Sequence, residues 1–548
     1  TADITKVMGV EKWRTTTTYT GDRITVDPPD GGIPTTTITD AQGQTTELLQ
    51  YTLGTPTGTT RSTKYVYDLL GRMTKVTDPV GNAWEYTFNL QGDLTKTVDP
   101  DKGTANLEYD EVGNLTRTLD ARNVDLRYTY DNLGRKIGVT NADGTPRTTW
   151  TYDTLASGAT AKGRPTGAIR HVGTAQIKEL VAGYDTAGRP KGTETVVPAV
   201  TGQIDAALAR TYTTRVTYKT NGVPATFTYG AAGPLPSEKL NYYYDSLGMF
   251  DGLTGASGFG AYVADAIYSP YGEVLQLALG NTSAHTMYQT LTYENGTRRL
   301  QQSRIDRQAI AGTDEITDYT YDPAGNPTKV AATLLNGTKD TQCYTYGERA
   351  QLTEAWTPNS GDCAAAKTQA GLGGPAPYWQ SYTHDVAGNI TSIVDRTTTT
   401  SKTTTMTYPT PGAGAVRPHF ASTANTTGST LRNRSFTADN AGNTATRVDN
   451  GATQTLTWDP EGHLSKIMGS TTLAEYLYDA DGNRLIRKEA GKTTLYLGAT
   501  ELTYTVATGA VTAQRYYTFG SRTVATRKGA TAADVSTLFG DHQNTAQH

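Results

Sequence analysis

The sequence predicts an all-β protein, a long antiparallel meander of short repeats that coils on itself. Three observations carry that prediction. A Tyr-Asp-x-x-Gly phrase recurs on a fixed step, apolar residues alternate with polar ones between the phrases, and each phrase holds the residues a tight hairpin turn requires. From Tyr67 to Asp153 the phrases read YDLLGR, FNLQGD, YDEVGN and YDNLGR, and their aromatic positions Tyr67, Phe88, Tyr109 and Tyr130 are 21 residues apart. Gly71, Gly92, Gly113 and Gly134 keep that step, as do Asp78, Asp99, Asp120 and Asn141. A fixed period of this length marks a quasi-one-dimensional array in which each unit buries its apolar face against its neighbours. Such an array points to shape, enclosure or surface presentation rather than to one catalytic cleft.

One repeat, Asn106 to Asp131, shows the elements in order. Leu107 and Tyr109 alternate with polar residues, Asp110 opens a turn and Gly113 closes it. Leu115 to Leu119 forms a second alternating run, residues 120–123 turn again, and Leu126, Tyr128 and Tyr130 mark the next strand. Alternation with a period of two predicts half-buried strands. An Asp at the first turn position accepts backbone N–H bonds, and a Gly three residues on supplies the left-handed conformation a short hairpin needs. The opposite turns, Asp78-Pro-Val-Gly-Asn82 and Asp99-Pro-Asp-Lys-Gly103, use Pro to fix φ just after the Asp.

The phrase continues in looser phase at 184–189, 244–249, 321–326, 384–389, 438–443, 458–463 and 478–483, the last three again in step. The clearest repeats are thus 65–153 and 436–485, within one continuous array over 1–537. Pro/Gly-rich text at 371–377 and 409–414 is read as loops inserted between repeats. Strand twist accumulates, so a sheet of many more than about ten strands must curl, split or close. This physical reading leaves open whether the inside of the curl is filled or hollow.

Composition excludes several function classes. Hydrophobic residues are 36% and charged residues 19%, with 57 Gly, 34 Tyr and only 8 Phe, which suits an ordered β-rich chain using Tyr as an amphipathic wall residue. The net charge of −4 comes without any Lys/Arg block, which leaves no electrostatic case for nucleic acid or an anionic membrane. No apolar run approaches the roughly 18–20 residues that span a bilayer, and no signal peptide is expected within these residues. The text begins at Thr1, so a processed, trimmed or partial chain is expected, with localisation not readable from its N-terminus.

Cys343 and Cys363 lie close to one repeat apart, which suits a disulfide in an oxidising compartment; two free thiols are the alternative. No Cys/His cluster with zinc-ligand spacing accompanies them. Asp68, Asp110, Asp131, Asp245, Asp322, Asp459 and Asp479 share one turn position, so turn capping accounts for all of them more simply than carboxylate catalysis. Asp479 to Asn483 imitates the start of a calcium loop, yet Gly482 stands fourth and Ala490 twelfth where that loop needs Gly at six and Glu at twelve. The histidines, at 171, 285, 384, 419, 463, 542 and 548, are scattered, with His384 and His463 inside the phrase itself. No metalloprotease, nucleophile-elbow or phosphate-loop motif appears. Arg72, Arg135 and Arg189 follow turn glycines and are expected to pair with turn acids or cross-strand neighbours. Alternating Tyr and Trp are read as wall residues, with a glycan-stacking platform as the alternative. No catalytic residue, cofactor or metal site is assigned.

The Tyr-Asp-x-x-Gly-[Arg/Asn] phrase on this step resembles the RHS/YD-repeat family of bacterial polymorphic toxins and the animal teneurins. About a dozen phrases between Tyr67 and Asn483 carry the resemblance; Trp13 to Tyr19 and Tyr378 to Tyr382 look like degenerate repeats. It implies a hollow, cocoon-like shell of spiralling β-sheet around a variable C-terminal effector, often released by an aspartyl self-cleaving site. Leu538-Phe-Gly-Asp-His-Gln-Asn-Thr545 looks like the opening of an RHS-associated core, so 538–548 is read as the truncated start of that core. The paired self-cleavage motifs do not follow, and self-proteolysis is not assigned. The expected role is therefore a non-enzymatic, secreted or cell-surface shell that encloses or displays a toxin or effector absent from this chain. Its expected partners are that cargo and a secretion-apparatus or cell-surface protein. A secreted or wall-associated adhesion protein binding glycan or a partner protein is the alternative.

Overall fold

The computed structural model describes residues 1–255, 260–280 and 286–541. Among them, 44 strands follow one another from Ala2–Val7 to Val535–Thr537. Each pairs antiparallel with its sequence neighbour, so the described residues form one open meander.

Two turn types close the ends of the strands. Between Gly103–Tyr109 and Leu115–Leu119, the Gly113 N–H donates to Asp110 O at 3.1 Å and the Asp110 N–H to Asn114 O at 2.9 Å. Gly113 sits at φ 86°, and register slips by one residue at Tyr109, the mark of a turn followed by a glycine bulge. At the other end of the strands, Asp120 O accepts from the Asn123 N–H, and Asn123 takes the left-handed place at φ 63°. The tyrosine turns therefore line one rim of the sheet and the proline-type turns the other.

The meander coils until its second pass meets its first. Arg61 pairs with Glu348, 287 residues away, at 2.9 Å. Asn82 Oδ1 accepts from the Gly412 N–H, 330 residues away, and Arg122 donates to Asp459 O, 337 residues away. In this seam, turns on the tyrosine rim of the second coil seat on the opposite rim of the first. Accumulated strand twist supplies the curvature.

Burial shows where a second layer exists. One apolar cluster joins Leu240, Leu253, Tyr262 and Leu277 to Tyr517, Phe519, Val524 and Phe539. Another joins Ile177, Val197, Leu208 and Leu235 to Ile486, Leu495 and Leu502. The last strands, from Arg484–Glu489 onward, thus lie face-on against the wall between residues 177 and 305, an arrangement the repeat pattern does not predict. Elsewhere the wall is mostly half-buried and carries few core residues. The accessible surface is 27,682 Å². A compact monomer of this mass would expose only about 19,000 Å².

Candidate functional site

The tyrosine-bearing face is the feature most directly shaped by the repeat. In Ala83–Phe88, half-buried Trp84, Tyr86 and Phe88 alternate with exposed Glu85 and Thr87; in Asp125–Tyr130, Leu126, Tyr128 and Tyr130 alternate with exposed Arg127 and Thr129. The C-terminal layer covers this same face, since Glu238 and Leu240 beneath it share alternate positions with Tyr242 and Tyr244.

Each phrase tyrosine ties its repeat to the one before. Tyr67 Oη donates to Thr45 O at 2.9 Å, Tyr109 to Leu94 O at 3.0 Å, Tyr130 to Leu115 O at 2.9 Å and Tyr152 to Lys136 O at 3.0 Å. Tyr321, Tyr346, Tyr408 and Tyr478 do the same, and Trp458 substitutes its indole N–H, donating to Thr444 O. The acceptor lies two residues past a turn position of the preceding repeat. These hydroxyls are engaged within the wall, which favours the wall reading of the tyrosines over a glycan platform.

The turn aspartates stay in separate turns. Asp68 Oδ1 accepts from the N–H groups of Leu70 and Arg72, and Asp110, Asp131, Asp245, Asp322, Asp459 and Asp479 repeat that role. Arg72 Nε donates to Asp68 Oδ2 at 2.7 Å, Nη1 reaches Asn89 O, and the guanidinium lies 4.9 Å from the Phe88 ring. Arg135 stacks on Tyr152 and Arg189 on Tyr218 in the same way. The Arg after each glycine thus pairs with its own turn acid and stacks on the next repeat's aromatic. The acid pairing is expected from the sequence but this stacking is not; an aromatic in the repeat after each Gly-Arg pair is the available signal for it.

Two charge clusters join distant parts of the chain. Glu461 receives Arg147 at 2.8 Å and also Arg170, both of which reach Asp459 Oδ2 at 3.5 Å. Burial would raise the Glu461 carboxyl, but Arg170 and Arg147 hold it below the usual range. Asp459, Glu461 and His463 offer donor atoms within 4.8 Å of one another, and the two arginines already occupy the carboxylates. Beneath the C-terminal layer, buried Glu238 accepts from Tyr262 and Tyr517, each at 2.5 Å, and pairs with Arg515 at 3.2 Å and Arg527 at 2.9 Å. Burial pushes the Tyr517 hydroxyl up to about 12, with Glu238 adding to it.

Next to that layer lies a cavity of about 670 Å³ lined by Glu179, Asp479, Asp481, Tyr212, Tyr229 and Arg484 among others. Burial, then Asp479 and Asp481, pushes the Glu179 carboxyl up. Asp479 and Asp481 belong to the segment that imitates a calcium loop, yet Asp479 there caps its own turn. His171 accepts or donates at Thr149, His419 contacts Asp101 across the seam at 2.7 Å, and His463 stacks on Tyr478. His384 ends the strand Trp379–His384 in the tyrosine slot. His285, His542 and His548 lie outside the described residues. The sulphur atoms of Cys343 and Cys363 are 1.92 Å apart, with a Cα–Cα distance of 5.6 Å.

Comparison with known proteins matches this geometry. A family model described as RHS Repeat matches residues 67–104 and 109–146. Among solved structures, the TcdB2-TccC3 complex aligns at a TM-score of 0.77 and 18% identity over 98% of this chain. The chain carries RHS repeats. The TcdB2-TccC3-Cdc42 complex aligns at 0.76, and a Tc holotoxin pore from Photorhabdus luminescens at 0.75, both at 18% identity and over 98% of this chain. At that identity the likeness is one of fold, and this chain spans 29% of the length of each of those three matched chains. No curated protein matches it. None of the described helices is long and apolar enough to cross a membrane.

Proposed function

We propose that this chain is a wall segment of an RHS shell that encloses or displays a C-terminal toxin or effector lying outside these 548 residues. The observation that carries the reading is the likeness over 98% of the chain to TcdB2-TccC3, one of whose structures is described as lacking a hypervariable C-terminal region. The coiled single-layer wall, its half-buried aromatic face and its covered stretch between residues 177 and 305 all suit a container. The wall's role in this reading is structural: its turn acids are consumed by caps and its paired carboxylates by arginine. Work outside the cell fits the same reading.

A second reading, docking to a partner protein, draws on a row of exposed apolar residues at successive turn tips. Leu69, Leu90, Val112 and Leu133 are 101%, 99%, 82% and 75% exposed, whereas the turns seated in the seam carry Pro323-Ala324 and Pro460-Glu461 at the same places. A reporter domain fused after His548 separates the two readings. Enclosure predicts that added proteinase K spares the reporter while cutting the same domain alone. Full digestion of the fused reporter would remove enclosure and leave display or docking.

A further inference from the structure

We propose that Cys343 and Cys363 form a redox-released clasp that holds residues 358–372 as a strap across the sheet face opposite the tyrosines. Most connections in this meander are tight turns. This one, between Leu352–Trp356 and Trp379–His384, is long and returns across its own sheet. Lys329 Nζ donates to Gly361 O at 2.9 Å on one side, and Gln369 Nε2 donates to Thr397 O and Thr400 O, each at 2.9 Å, on the other. The strap therefore reaches from Pro327–Leu334 to the turn beyond Ile390–Arg396.

What lies beneath the strap is a single cross-strand row. Lys329 opposes Cys343, Cys343 opposes Trp356, Trp356 opposes Trp379, and Trp379 opposes Arg396. Residues directly opposite in neighbouring strands present their side chains on one face. Along most of the wall that face is charged and wet, but here Cys343 is 0% and Trp356 3% exposed, packed with Leu372 of the strap. Lys367 adds an ion pair to Glu354 and lies 4.1 Å from the Trp356 ring. Cys363, on the strap, is only half-buried.

That asymmetry fixes the direction of attack. A dithiol reductant's thiolate attacks the reachable Cys363 Sγ; the S–S bond breaks, and Cys343 leaves as a thiolate that takes up a proton. The reductant's second thiol then displaces Cys363 from the mixed disulfide, so the reductant ends as its own disulfide and both cysteines as thiols. Two electrons pass from reductant to protein. The clasp is closed in an oxidising compartment and opens in a reducing one, uncovering the indole row.

Trypsin reads the strap directly, because Lys367 is the sole Lys or Arg in residues 358–372. In protein prepared without reductant, alkylation is expected to label neither cysteine and Lys367 to resist cleavage. Dithiothreitol should speed cleavage after Lys367 at least tenfold while other sites keep their rates, with a red shift in tryptophan emission. Cys363→Ser should behave like reduced protein without any reductant. Alkylation of both cysteines in the unreduced protein would overturn the clasp. So would equal resistance of Lys367 in oxidised and reduced protein, which would show the non-covalent contacts alone hold the strap. General digestion on reduction would also overturn it, in favour of a bond that supports the whole array.

Discussion

At the scale of single residues, the recurring phrase is a set of separable physical duties. The aspartate caps its turn, the glycine takes a positive φ, and the tyrosine spans to the previous repeat. Tyr109→Phe keeps the ring and deletes only the bond to Leu94 O. A loss of about 0.5–1.5 kcal/mol in denaturant unfolding is expected, the net worth of one hydrogen bond. Glycines differ by what surrounds them. At Gly113 an added Cβ meets nothing closer than Asp93 Oδ1 at 3.8 Å, so Gly113→Val carries the backbone strain alone, about 1–3 kcal/mol. At Gly442, also at positive φ, the Cβ would stand 2.5 Å from Asp101 O across the seam. Gly442→Val should therefore lower the melting temperature more than Gly113→Val; equal effects would mean the seam yields freely.

At the scale of elements, the seam and the second layer hold the coil together by different means. The seam uses half-buried ion pairs. Because Glu461 titrates below its unfolded value of about 4.3, its contribution is present above that pH and lost as pH falls through the lower folded value. Hydrogen exchange at the 120–124 and 459–463 turns should rise below about pH 4 before exchange in the strands does. Glu461→Gln should show the same loosening at neutral pH. The second layer instead buries Glu238 among two arginines and two tyrosines. Glu238→Ala would leave Arg515 and Arg527 buried without their carboxylate, a cost of about 3–5 kcal/mol. Early exchange confined to the strands after Arg484 would be the signature, and an unchanged C-terminal layer would argue against that anchor.

At the scale of the molecule, the wall is thin for its mass. A solid globule of this length would have a radius of gyration of roughly 24 Å. Small-angle X-ray scattering should give a clearly larger radius, with the pair-distance maximum displaced outward as in a hollow body. A radius near the solid value would mean the coil collapses in solution. A long, rod-like tail would mean it uncoils, and the container reading would fall with it.

The local structure of this repeat protein was legible in the sequence, because each determinant acts within one repeat. Alternation set the strands, Asp and Gly set the hairpins, and the fixed step set the pairing of each strand with the next. The sequence also pointed to the turn-capping role of Asp68 and its counterparts, whose bonds span only two to four residues. The contacts between coils were not legible, since Arg147 and Glu461 are 314 residues apart and their meeting depends on summed twist. Nor was the layer that Arg515 and Tyr517 lay over Glu238, because strands that cap a wall read in sequence like strands that extend it. Only the tertiary structure decided these, since small rotations between neighbouring strands add up over a whole coil before distant side chains meet.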